Sequence, residues 1–282
     1  LSKAYAAIQR FSEDVDLTYD IRAIASDLVG NQSNALPPSR SQADRWTKVI
    51  RSRLSAWVRD EALVVVQEAL VRDDLGAQAT ATNENILIAY PQLAEGTGYV
   101  APTVKLEFGA RATGEPWVER AIVSDAADHV DDLVFPTATA RVMRIERTFW
   151  EKATAAHVYC LQGKIRGERF VRHWSDLARL FLRGFATAAI ADRDVAASVA
   201  AHKALFFREK DASGAVIDYY AATSGGLCLV PSAESKRALR DDYAKMIDDG
   251  LFLDDVPDFD ELMDLSEALE SECNTAARSS SP

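Results

Sequence analysis

The sequence predicts an α+β protein, a mixed-sheet core in the first half followed by a mainly helical second half. Three observations carry this. Several stretches alternate apolar and polar residues with the two-residue period of a strand, residues 100–109 most clearly. Helical patterns lie between these stretches without strict strand–helix alternation, which points to a mixed rather than a purely parallel sheet. From about Arg144 onward, apolar residues recur every three or four positions, as helices require.

In chain order, a short helical run is expected to end at Phe11, and residues 12–17 read as the start of a strand. Alternation puts Asp14 and Asp16 on one face of that strand, with Val15 and Leu17 expected to point into a core. Residues 20–29 suit a short helix, and residues 30–41, with Pro37 and Pro38, form a loop by composition. A long helix is expected from Ser41, as its cap, to Asp73. Its apolar positions are Trp46, Ile50, Leu54, Trp57 and Val58, and Arg45, Lys48, Arg51, Arg53 and Arg59 line its polar face. The run Val64-Val65-Val66 could break the end of this helix into a strand. Strands are expected over 85–91, 100–109 and 117–123. Helices are expected over 146–161, 170–185 and 187–207, with a basic linker at 163–169. Residues 227–230 read as a short strand stopped by Pro231, followed by helices over 233–247 and 258–269 and a frayed tail from Arg278.

Composition narrows the function classes. Hydrophobic residues at 48% and charged residues at 27% describe a globular chain, with no apolar run long enough to span a bilayer. The three cysteines are widely spaced and the four histidines scattered, so neither a disulfide framework nor a zinc pattern is present, and a reducing cytoplasm is the expected compartment. The net charge of −11 is unevenly spread: residues 233–282 hold fourteen acidic against five basic side chains. By contrast, residues 141–172 hold eight basic against three acidic ones, a local field that could meet phosphates.

Two carboxylates held on one strand face repel unless a cation lies between them. Mg2+, bound through one or two carboxylates, water and substrate phosphates, meets that demand. The plain alternative for Asp14-Val15-Asp16 is a solvated strand edge. Glu107 is the best third carboxylate, since it sits on a strand and shares its face with Lys105; the alternative is a simple ion pair with Lys105 across the pleat. Lys152, on a helix otherwise apolar and small, can reach outward as a surface charge or inward to a phosphate. Arg172 and Asp176 lie four apart, the spacing of an ordinary helical salt bridge.

What joins these residues is a resemblance to the AbiEii/AbiGii-type toxin nucleotidyltransferases. Leu1-Ser2-Lys3 matches the end of that family's Gly-Gly-Thr-Ser-Leu-Ser-Lys loop, and Arg10-Phe11-Ser12-Glu13-Asp14-Val15-Asp16-Leu17 matches the Phe-Ser-Glu-Asp-x-Asp-Leu signature to which it leads. Lys105-Leu106-Glu107, followed by Arg111, meets the family's Lys-x-Glu strand. Glu151-Lys152-Ala153-Thr154-Ala155 meets its Glu-Lys-x-x-Ala helix, and Arg172-His173-Trp174-Ser175-Asp176-Leu177 its final motif. The glycines of the loop are expected upstream of Leu1, in an N-terminally truncated sequence. His173 stands where many members carry Asp.

The resemblance implies a nucleotidyltransferase (polymerase-beta-like) mixed-sheet core over residues 1–135 and a helical region over 136–282. It implies Mg2+ on Asp14 and Asp16, with Glu107 added as third ligand on geometry, and a catalytic set completed by Lys152 and Asp176. Ser2, Lys3, Ser12 and Arg111 would adjoin the nucleotide. The implied reaction moves a nucleoside monophosphate from a nucleoside triphosphate to an acceptor hydroxyl, RNA or a tRNA end. The setting would be a toxin–antitoxin or phage-defence system with a cognate antitoxin as partner and no membrane involvement. Two other readings stand beside it: a non-catalytic protein that keeps the fold and holds a nucleotide or partner, and a metal-dependent phosphohydrolase.

Overall fold

The computed structural model describes residues 1–12, 14–92, 101–163 and 169–279. The chain divides into two compact units, Ser12–Glu115 and a second made of Leu1–Phe11 with Pro116–Pro282. The boundary expected after residue 135 would separate two strands that pair with each other, Trp117–Ile122 (β5) and Ala138–Met143 (β6), which is why the division falls ahead of both.

The unit Ser12–Glu115 holds β1 (Asp14–Thr18), α2 (Ile21–Ile24), α3 (Ser26–Val29), α4 (Arg40–Trp57), α5 (Leu63–Arg72), β2 (Gln78–Thr82), β3 (Asn85–Ala89) and β4 (Thr103–Gly109). Its sheet order is β1-β4-β3-β2, with β1 parallel to β4 and the other pairs antiparallel, so the sheet is mixed as expected. β2 escapes the sequence reading because Gln-Ala-Thr-Ala-Thr offers almost nothing to bury. It forms because Asn83, at φ 54°, accepts the left-handed conformation that a two-residue hairpin turn needs.

Register and alternation sort this sheet into two faces. The apolar face carries Val104, Leu106, Phe108, Ile86 and Ile88, and Trp57 packs edge-on to Phe108 at 5.6 Å between ring centroids. Ile50, Leu54, Val58 and Ile86 are buried there. Val15 and Leu17 belong to the same face but remain 44% and 37% exposed, contrary to expectation. β1 is an edge strand, and α5 lies over β2 at the opposite edge.

The long helix begins two residues earlier than expected, with Ser39 rather than Ser41 as cap; the Ser39 hydroxyl accepts from the Gln42 N–H at 3.4 Å. The three valines do not break it. A π-helical turn over Val58–Ala62 joins α4 to α5, which runs on to Arg72. The short helix expected over 20–29 is split into α2 and α3 at Ala25.

In the other unit α1 spans only Ser2–Tyr5. It stops short of Phe11 because Ala6 turns left-handed, φ 47°, after which Arg10 pairs with Phe252 as an isolated antiparallel bridge. The helices are α6 (Ile145–Gln162), α7 (Arg172–Leu182), α8 (Phe185–Ala191), α9 (Arg193–Phe206), α10 (Tyr219–Thr223), α11 (Ala233–Asp248) and α12 (Phe259–Ser279). Gly184 at φ 77° breaks α7 from α8, and Asp192 caps α9 by accepting from the Val195 N–H. Most of the expected basic linker, residues 164–168, and the last three residues of the tail lie outside the described residues.

Residues 227–230 form no strand. Their backbone is instead paired by side chains: Asn274 and Glu270 of α12 accept the N–H groups of Leu227, Leu229 and Val230, and His157 Nδ1 accepts that of Cys228. The Trp174 indole N–H donates to the Leu229 carbonyl at 2.7 Å. This segment packs into the core of the helical unit, with Leu229, Trp174, Leu180, Leu239 and Leu262 all wholly enclosed. Among the described residues no helix is long and apolar enough to cross a membrane.

Candidate active site

The register of the parallel pair sets the site in the unit Ser12–Glu115. Asp14 lies opposite Lys105 and Asp16 opposite Glu107, so the four charged side chains share the face of the sheet opposite Ile86 and Leu106. Adjacent strands run about 4.8 Å apart, and alternate residues on one strand are separated by about 6.6 Å. The polar face is therefore a patch in which carboxylate and cation positions stand as close neighbours. Ser12 braces the first carboxylate: its hydroxyl donates to Asp14 Oδ1 at 3.2 Å.

Glu107 is not idle on this face. Lys105 Nζ sits 2.6 Å from its carboxylate, the cross-pleat ion pair that spacing allowed, in a half-exposed setting where such pairs contribute little to stability. Among the described residues no three His, Cys, Asp or Glu side chains come close enough together to hold a metal ion by themselves. Asp14 and Asp16 fit Mg2+ as a pair of hard oxygen donors, the ligand number this ion takes when phosphates and water complete its shell. Glu107 fits as a third ligand only on release from Lys105. Arg111 is half-buried, and burial together with the nearby Arg51 guanidinium lowers its pKa from the ordinary value.

The remaining candidates lie in the other unit. Ser2 opens α1, and Lys3 is ion-paired with Asp125. Lys152, on α6, points neither outward nor to open space: its ammonium meets Asp176 Oδ2 at 2.8 Å. Asp176, on α7, is 1% exposed, and Arg10 grips both of its oxygens, Nε to Oδ1 at 2.8 Å and Nη2 to Oδ2 at 3.0 Å. Burial by itself would raise this carboxyl, but Lys152 and Arg10 outweigh it and hold it well below the usual carboxylate range. A carboxylate so enclosed, with two cations on its oxygens, suits the anchoring of those cations better than contact with an ion or substrate.

Arg10 was legible only as the head of the matched signature; its partner, Asp176, is 166 residues away. It also missed a second buried cluster. Glu151 takes Lys203 at 3.1 Å and Arg147 at 3.4 Å; burial pushes its carboxyl up, and Lys203 first, then His202 and Arg147, bring it down below the ordinary value. Buried His157 and half-buried His173 are held neutral. Burial lowers His157 to about 4, and burial with Lys152 and Arg172 lowers His173 to about 3. His173 is therefore an uncharged ring, tilted against Tyr159 at 5.5 Å.

The basic stretch 141–172 is largely compensated where it is described. Arg144 pairs with Glu146, Arg147 with Glu151 and Lys152 with Asp176, while Arg141 stacks over Trp117.

A protein-family model described as "Nucleotidyl transferase AbiEii toxin, Type IV TA system" matches residues 1–265. No curated protein and no solved structure matches the chain.

Proposed function

Because the chain belongs to the AbiEii nucleotidyl transferase toxin family of type IV toxin–antitoxin systems, we propose that it moves a nucleoside monophosphate from a nucleoside triphosphate to a hydroxyl of an RNA acceptor, a tRNA end being the expected case. The observation that carries this reading is the polar face of β1 and β4, with Asp14 and Asp16 two apart beside Lys105 and Glu107.

In this reading Asp14 and Asp16 hold Mg2+, which when bound neutralises charge on the triphosphate. Ser12 keeps Asp14 oriented. Lys105 offers a cation on the same face, and Glu107 holds that cation in place until substrate arrives. The acceptor oxygen forms a bond to the α-phosphorus as the bond to the bridging oxygen breaks; pyrophosphate leaves, and the hydroxyl proton passes to solvent. Ser2, Lys3, Arg111 and Lys152 keep the nucleotide-contacting and catalytic roles the family resemblance implies, and Asp176 acts as the positioning residue that fixes Lys152. A cognate antitoxin is the protein partner to expect, in the cytoplasm and in a phage-defence setting.

The test is label transfer. Purified protein with α-labelled nucleoside triphosphate, Mg2+ and RNA is expected to label the RNA and release pyrophosphate, and Asp14→Ala to abolish both. Equal labelling by the two proteins would overturn the metal assignment. Release of inorganic phosphate would point to a phosphohydrolase, and nucleotide binding without transfer to the holding protein.

A further inference from the structure

The cations of α4 fall into two groups. Arg51 is paired with Glu84, Arg53 with Asp27 and Arg59 with Asp60. The side chains of Arg40, Arg45 and Lys48 form no ion pair or hydrogen bond with another described residue. These three line one open surface hollow of about 570 Å³, together with Ser41, Asp44 and Val49. The grouping follows from helix geometry. Arg40, Asp44 and Lys48 make one ridge of the helix at four-residue steps, Ser41, Arg45 and Val49 make the next, and the hollow lies between them. The opposite side, Ala43, Trp46, Ile50 and Leu54, is buried.

We propose that this face of α4 is a docking surface for the phosphate backbone of RNA. The proposal rests on the RNA-acceptor reading above and adds where on the chain the acceptor is held. Three cations against the single carboxylate of Asp44 leave a net positive lining. Two of the cations are guanidiniums, whose planar donors match phosphate oxygens, and the Ser41 hydroxyl adds a neutral donor. An acidic protein partner fits less well, because a protein interface is built round apolar or aromatic anchors and this hollow offers only Val49. The same compact unit carries Asp14 and Asp16, so acceptor docking and the proposed metal pair belong to one piece of the fold.

The test is the salt dependence of RNA binding by the full chain, read by anisotropy of a fluorescein-labelled single-stranded RNA. Each phosphate contact to a single strand contributes about −0.7 to the slope of log affinity against log salt. The triple variant Arg40→Gln, Arg45→Gln, Lys48→Gln is therefore expected to lose about 2 from the slope, and the wild type to weaken about 20-fold more than it between ~50 and ~200 mM salt. The control, Arg59→Gln on the same helix, keeps the wild-type slope, and circular dichroism checks that every variant is folded. The three single variants, each expected to lose about 0.7, give the same reading should the triple variant misfold. An unchanged slope with RNA still bound overturns the surface and leaves the acceptor reading intact. A wild type that binds no RNA overturns both. Loss of polyglutamate binding with RNA binding retained assigns the hollow to an acidic protein instead.

Discussion

Asp176 illustrates how much of a residue's role depends on partners far away in sequence. Its spacing from Arg172 suggested a modest helical salt bridge, yet its oxygens are taken by Arg10 and Lys152 in a setting that excludes water. Breaking a buried pair by removing one member leaves uncompensated charge, so Asp176→Asn is expected to cost about 3–5 kcal/mol in denaturant unfolding. The pH dependence follows from the direction of the shift. With a folded pKa below the unfolded value, the stabilisation is complete above about pH 4 and is lost as the pH falls through the lower folded value. The variant should lose that part of the acid dependence; an Asn variant as stable as the wild type, with the same acid limb, would remove the anchoring role. Asp14 with Asp16, and Lys105 with Glu107, were legible as same-face pairs because strand alternation is local, whereas the β1–β4 register that sets the two pairs side by side is not local. The Lys105–Glu107 pairing was legible as well, since both partners sit two apart on one strand.

At the scale of elements, residues 227–230 give the clearest contrast between propensity and context. Leu-Cys-Leu-Val has the composition of a strand, but among the described residues no strand takes its N–H groups. Glu270 accepts two of them, from Leu229 at 2.5 Å and from Val230 at 3.1 Å. A buried N–H left without an acceptor costs about 1–3 kcal/mol. Glu270→Ala is therefore expected to lower stability by about that amount or more and to accelerate amide exchange at Leu229 and Val230 selectively. Uniform acceleration throughout α7, α11 and α12 would show instead that the carboxylate supports the whole unit. Helices with long apolar periodicity, α4 and α6 above all, were readable because burial of one stripe dictates them. β2 and β6 were not, since Gln78–Thr82 and Ala138–Met143 gain their place from a neighbouring strand rather than from their own pattern.

Across the whole molecule, the acidic C-terminal region turns out to be part of the framework. α12 carries six acidic side chains against one basic, and α11 four against four, yet Leu239, Tyr243, Met246, Leu262, Leu269 and Cys273 are buried, and Asp242 accepts the N–H groups of Arg169 and Val171 ahead of α7. Truncation after Ser232 is expected to abolish cooperative unfolding of the unit that contains α6 to α10, monitored by the fluorescence of Trp150 and Trp174. A truncated chain with native-like tryptophan emission and a sharp transition would mean that the region is dispensable. The sequence by itself determined the α+β class, the family, the polar face of β1 and the helical second half, because alternation, periodicity and short motifs all act over a few residues. Only the tertiary structure decided that Asp176 and Lys152 neutralise one another, that Arg144 and Arg147 are spent on internal partners, and that the side chains of three cations of α4 have no ion-pair partner among the described residues. Those outcomes depend on which charges meet across many tens of residues, and the energy of a charge is set by its neighbours and its burial rather than by its place in the chain.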